Sequence, residues 1–252
     1  LMAAAFWATV SFPRFPMPIW RKMPPPAPRP LATWLRRQLH PVLHRLWRVL
    51  RAVLLTVLAV WAAMLVAYRW VDPPATPLML IRLIDEGRID YRPRGLDEIA
   101  RSLPQSAIAA EDNNFCNHSA VDWPAVRVAI DDWRTISMQT ARNLFLWTGG
   151  GFLRKALEVP LAYAIELAWP KWRIIELYVN VAEWGPGLYG AEAAAQTHFD
   201  KPAAALTSRE AALLAAVLPN PRRWSAGEPT RYIQGRANTI ARRVGQLGPA
   251  TA

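Results

Sequence analysis

Two glutamates occupy positions where a proton-transfer group is useful. Glu111 closes the apolar run Ala107-Ile108-Ala109-Ala110 and is followed by Asp112, Asn113 and Asn114. A carboxylate at the end of an apolar helix loses hydration of its charged form. Its proton affinity rises, which suits a general acid or base. The same glutamate at a solvated helix end would titrate ordinarily, and residue types alone favour that plainer reading. Glu158 lies four residues after Arg154 and three after Lys155. Those spacings bring side chains together on one helical face. Such a trio is either a surface ion pair of little energy or a cation cluster that holds phosphate with a carboxylate beside it. Spacing alone leaves both readings open.

Other candidates are less specific. His118 is a lone histidine in a polar loop, expected to satisfy hydrogen bonds rather than to bind metal. Asn143, Tyr178 and Asn180 are open to structural roles. Trp147, Trp169, Trp172 and Trp184 suit a sugar-stacking or lipid-facing surface, or ordinary packing. The single cysteine, Cys116, excludes an intrachain disulfide framework and a cysteine-based zinc cluster. No Gly-rich phosphate loop and no histidine pair at metal spacing is present.

The elements that must position these groups are helices. Asp122 can cap a helix opening at Trp123-Pro124, with Val126, Ala129, Ile130 and Trp133 on one face. Pro170 can start another, along which Ile174, Ile175, Tyr178 and Val179 are apolar. Thr207 to Glu210 spells a capping box before AALLAAVL, and Pro219-Asn220-Pro221 stops that helix. Thr230 to Leu247 has helical spacing and Gly248 as a stop. No strand signal is strong.

Upstream, residues 13–30 carry eight prolines and predict an extended tail. Residues 52–68 are seventeen consecutive uncharged, largely apolar residues. A helix of that length is about 25 Å long, and Val49, Leu50 and a snorkelling Arg51 extend it to a bilayer span. Residues 1–51 hold nine basic residues and no acidic one, so the positive-inside rule keeps the arm in the cytoplasm and exports the chain beyond the span. No small-x-small cleavage pattern comes after Tyr68, so the span is expected to persist as an anchor. The predicted organisation is a Pro/Arg-rich cytoplasmic arm over 1–48, a transmembrane helix over 49–70 and an extracytoplasmic domain over 71–252. Beyond residue 51 there are 21 basic and 19 acidic residues. That near-neutral body argues against nucleic acid as a partner.

Five segments in order then carry a resemblance. Glu111-Asp112-Asn113-Asn114-Phe115-Cys116-Asn117-His118 resembles the ED-x-x-F-x-x-H signature of the peptidoglycan glycosyltransferases. Thr135 to Asn143 is similar to their G-x-S-T-I-[ST]-Q-Q-x-x-[KR]-N segment. Arg154 to Glu158 matches R-K-x-x-E, Lys171 to Asn180 matches K-x-x-I-[LI]-E-x-Y-[LV]-N, and Arg209 to Pro221 matches the last signature. The nearest type is the monofunctional biosynthetic transglycosylase of Gram-negative bacteria. No S-x-x-K nucleophile of a linked transpeptidase occurs.

The resemblance implies a mainly α, lysozyme-like helical domain with a small membrane-proximal lobe, preceded by one transmembrane helix. It implies polymerisation of lipid II, a disaccharide-pentapeptide on undecaprenyl pyrophosphate, into peptidoglycan strands at the bacterial inner membrane, with the domain in the periplasm. Glu111 would be the general base and Glu158 would sit at the second substrate site. Asp112, Thr135, Gln139, Arg142, Arg154 and Lys155 would bind substrate, with the cations near the pyrophosphate. The family often uses a divalent cation, Mg or Mn, to which no residue here is assigned. Partners would be lipid II, the growing glycan chain, the membrane and cell-wall synthesis proteins.

The sequence also departs from the pattern. Asp131-Asp132-Trp133-Arg134 runs straight into Thr135, so the Gly-x-Ser loop is absent. Met138 replaces the first paired glutamine. Gly150 stands eight before Glu158, where an arginine is common, and Ala120 replaces a Gly after His118-Ser119. The short loop motivates an alternative, a weakly active or inactive relative that binds lipid II or wall-synthesis proteins as a scaffold. A third reading is a glycan-cleaving lysozyme-like enzyme, which the R-K-x-x-E cluster opposes.

Overall fold

Helix boundaries obey the capping chemistry of the chain. In the computed structural model the described residues are 31–123, 134–147, 149 and 151–247, with the side chains of 31–38 left aside. The expected helix after Asp122, the Asp131-Asp132-Trp133 junction, Gly150, Gly248 and the proline-rich 13–30 lie outside them.

The chain divides into two units, residues 1–56 and 57–252. In the first, the described chain is entirely helical, from α1 (Leu31–Ala67). Its stretch Leu39–Ala67 is long and apolar enough to cross a membrane. The helix begins well before residue 49, carries Pro41 within it, and stops at Ala67 rather than residue 70.

In the second unit the last turns of α1 are tied down. Trp169 Nε1 donates to the Leu65 carbonyl at 2.7 Å, and Arg173 Nε donates to the Tyr68 carbonyl at 2.8 Å. Next comes α2 (Pro77–Glu86), with Thr76 as N-cap, Pro77 in the first turn and Gly87 left-handed at its end. The remaining helices are α3 (Ser102–Glu111), α4 (Ile136–Phe145), α5 (Gly151–Ala168), α6 (Lys171–Val181), α7 (Ala191–Phe199), α8 (Ser208–Val217) and α9 (Arg231–Val244).

The expected Thr207–Glu210 capping box is formed. Truncating such a cap costs about 0.5–2 kcal/mol. From Ala211 to Val217 every residue of α8 is buried, and α3 and α9 flank it. A second layer packs α4 against α5 and α6, and α3 touches α6. Thr230 caps α9, but the helix closes at Gly245, ahead of the expected stop.

One small sheet was not anticipated. β1 (Asp90–Tyr91) runs parallel to β3 (Leu188–Tyr189), and β2 (Glu183–Gly185) runs antiparallel to β3, in the order β1-β3-β2. Gly187 makes the β2–β3 turn at φ +66°, where a Cβ would meet the Arg88 carbonyl oxygen at 2.7 Å.

Candidate active site

Glu111 is the last residue of α3, and Asp112 caps that helix. The glutamate is half-buried. Gln139 Nε2, from the next helical layer, donates to its Oε2 at 2.9 Å. That bond fixes the carboxylate plane towards a cleft of about 310 Å³. Arg134, Arg142 and Arg154 line the same cleft, together with Asn143, Trp147 and Tyr178. Arg82, Glu183 and the Pro219 segment after α8 complete it.

The electrostatics are those of an anion site beside a carboxylate. Burial pushes the pKa of Arg142 down; the Glu158 carboxylate opposes the shift, while Arg154 and Arg134 reinforce it. A guanidinium stays charged nevertheless. A poorly hydrated, crowded cation gains most when an anion arrives. Tyr178 is wholly buried, and its hydroxyl pKa is pushed well above the usual value by burial, then by Glu111. It therefore stays protonated beside the carboxylate.

Glu158 is buried and pairs with Arg154 one turn earlier on α5. It does not line the cleft itself. It stands behind Arg154 and acts through the two arginines. Lys155, next in sequence, is exposed and outside this lining. Of the R-K-x-x-E trio the fold brings Arg154 and Glu158 together and turns Lys155 elsewhere.

Asp112 and Thr135 serve as braces. Asp112 Oδ1 pairs with His118 Nε2 at 2.7 Å, and its Oδ2 accepts from the Ile136 amide at 3.1 Å. One carboxylate thus joins the end of α3 to the start of α4. Thr135 caps α4 by accepting from the Met138 amide at 3.2 Å, and its hydroxyl donates to the Ala120 carbonyl. Neither residue lines the cleft. His118 is held through Nε2 alone; its buried Nδ1 has no hydrogen-bond partner among the described residues.

The remaining motif residues also brace. Lys171 Nζ donates to Glu166 at 2.8 Å and to the His118 carbonyl at 2.7 Å, and it lies 4.3 Å from the centroid of Phe115. Ser137 donates to the same Glu166 oxygen. Asn180 pairs with both backbone groups of Arg94, and Glu176 accepts from the Leu96 amide at 2.9 Å. Glu176 and Asn180 are one turn apart on one face of α6, which leaves Tyr178 to face the cleft. Met138 is buried in the core, so an apolar side chain suits that site. Trp184 and Trp169 are core tryptophans; Trp147 alone of the four lines the cleft.

Sequence reasoning missed Arg134, which it saw only as part of a shortened junction, and Arg82 and Glu183. Burial raises the Glu183 pKa, with Arg82 and Arg222 opposing. Among the described residues no three acidic, histidine or cysteine side chains gather as a cation cage.

The family model described as Transglycosylase matches residues 83–245. A biosynthetic peptidoglycan transglycosylase of Rhodospirillum centenum is 50% identical over 213 residues, covering 81% of this chain and 92% of that protein. One of Stutzerimonas stutzeri is 42% identical over 224 residues, covering 82% and 92%. One of Caulobacter vibrioides is 42% identical over 213 residues, covering 79% and 93%. With the model spanning both helical layers of the cleft and these relatives aligned over more than nine-tenths of their own length, the chain belongs to the transglycosylase family.

Proposed function

We propose that this protein is a peptidoglycan glycosyltransferase that polymerises lipid II into glycan strands. The observation that carries the reading is a carboxylate, Glu111, in one cleft with Arg134, Arg142 and Arg154. Glu111 takes the proton of the acceptor's 4-hydroxyl as that oxygen attacks the anomeric carbon of the donor chain. The new C–O bond forms on the face opposite the departing group, so the configuration inverts. The bond from the anomeric carbon to the phosphate oxygen breaks, and undecaprenyl pyrophosphate leaves as an anion. The arginines stabilise the charge that develops on it, an effect of roughly 3–4 kcal/mol for a well-placed donor. The proton transfer contributes about 10²–10⁴-fold. Glu158 holds Arg154, Gln139 holds Glu111, and Asp112 and Thr135 hold α4 against α3. A Mg or Mn ion, were one bound, would supply further charge neutralisation at the pyrophosphate.

The apolar helix near the N-terminus supports a single-pass anchor. In this reading, residues 1–48 are the cytoplasmic arm, 49–70 the span and 71–252 the periplasmic catalytic domain at the bacterial inner membrane. A substrate whose tail stays in the bilayer requires an enzyme tethered beside it. Lipid II and the growing strand are the direct partners, and other wall-synthesis proteins are neighbours at the same surface.

The test is the fate of labelled lipid II with the full chain in detergent. A polymerase yields long strands that moving-front gels resolve. Lipid II bound without strand formation would instead establish the scaffold alternative. Shortening of preformed strands would establish a glycan-cleaving enzyme.

A further inference from the structure

A second groove, of about 570 Å³, opens on the other side of Glu111. It shares Glu111, Arg134 and Pro219 with the cleft, so the two are continuous. One wall is α9, where Tyr232, Arg236, Thr239 and Arg243 recur at helical spacing, with Arg231 beside them. No acidic residue occurs in α9. Among the described residues no carboxylate is in ion-pair distance of Arg134, Arg231, Arg236 or Arg243. Arg236 and Arg243 donate to the carbonyls of Ala216 and Ala109. Those neutral bonds orient the guanidinium groups, and no described carboxylate forms an ion pair with them.

An independent observation comes from the floor of this groove. Gly235 sits mid-helix in α9, where glycine weakens a helix. A Cβ there would meet nothing within 4 Å. The packing of the described residues therefore gives no reason for glycine. Close approach of a ligand to the helix backbone does.

Three cations along α9, with Arg134 shared between groove and cleft, call for an anion of extended shape. The pyrophosphate already has the cations of the cleft. The sugars are uncharged N-acetyl sugars or their ethers. The remaining charge on a disaccharide-pentapeptide is the peptide's carboxylates, and every disaccharide carries one peptide close to the bond being made. We infer that the arginine-lined groove along α9 binds the anionic stem peptide of the substrate, and that Gly235 leaves room for its backbone. This inference rests on the proposed lipid II polymerase reading. It makes the enzyme a reader of the peptide's charge as well as of sugar and pyrophosphate.

The experiment compares two substrates and two ligands. Full-length protein in detergent is given lipid II with its natural carboxylates and lipid II with those carboxylates amidated. Lipid-free disaccharide-pentapeptide, natural and amidated, is titrated in parallel by calorimetry. The wild-type chain is expected to favour the natural substrate in kcat/KM by about tenfold, the scale of one charge-assisted contact. In Arg231→Gln/Arg243→Gln that ratio falls to about one, and binding of the natural lipid-free ligand weakens by a similar factor. Gly235→Ala raises Tm yet weakens the same ligand, which separates groove occupancy from folding. A ratio near one in the wild-type chain, or equal losses on both substrates in the variants, overturns the inference. So does an arginine dependence that appears only with anionic vesicles, since the groove would then be a membrane contact. If the wild-type chain binds the natural lipid-free ligand through these arginines but forms no strands, the polymerase reading fails and the groove assignment stands.

Discussion

At Ala120 the backbone is left-handed, with φ +59°, and the side chain is fully buried. An L-residue there carries a steric cost that glycine lacks. Ala120→Gly is therefore expected to stabilise the fold by about 1 kcal/mol, read as a rise in the urea midpoint. A fall would mean that the methyl packing outweighs the backbone strain. The neighbouring brace makes the opposite prediction. Asp112→Ala strips partners from His118 and from the Ile136 amide, both at buried positions. It is expected to cost about 1–3 kcal/mol and to lower kcat through misplacement of α4. Residue types and spacing exposed Glu111, Arg154, Lys155 and Glu158 as chemistry, and the family resemblance added Gln139 and Arg142. They could not divide the set into groups that line the cleft and groups that brace it. Asp112 and Thr135 act on atoms 24 and 15 residues away, and such pairings exist only after the helices pack. Arg134 was hidden for the same reason, since nothing in its immediate neighbours distinguishes a cleft arginine from a junction arginine.

Elements were more legible than contacts. The cap at Thr207, the helix from Thr230 and the start after Pro170 are local chemistry, and each forms. The three-stranded sheet was illegible because its strands are two or three residues long, too short for alternation to register. The extent of α1 was equally obscured, because arginines and Pro41 interrupt its apolar pattern before residue 49. In α9 the sequence displayed the apolar stripe Ile233, Ala237 and Ile240, which is buried. The opposite face reads as an ordinary solvated surface until its proximity to Glu111 is known. Gly235→Ala tests that face at the level of the helix. Alanine should raise stability by about 0.5–1 kcal/mol, measured by chemical denaturation. An unchanged or lowered stability would show that the glycine serves the fold itself.

The whole molecule carries its own pH signature. His198 Nε2 faces the Trp184 carbonyl at 3.2 Å, and its Nδ1 accepts from the Gly227 amide at 3.3 Å. Both bonds together require the neutral ring. Burial pushes the His198 pKa below its usual value, with the Trp184 bond opposing. The unfolded chain thus takes up a proton that the folded chain refuses. Stability is complete above the ordinary histidine value of about 6.5 and is lost as pH falls through that value towards the lower folded one. Tm should decline from pH 7 to pH 5, and His198→Gln should flatten the slope; an unchanged slope would assign the loss to other groups. Function draws on the same global arrangement, since both helical layers must meet for a base and an anion site to share one cleft. The most direct measurement is strand formation from labelled lipid II by the full chain and by Glu111→Gln at equal fold stability. Long strands are expected from the first and a loss of about 10²–10⁴-fold in the second, with lipid II binding retained. Undiminished polymerisation by Glu111→Gln would contradict the assignment of Glu111 as the base.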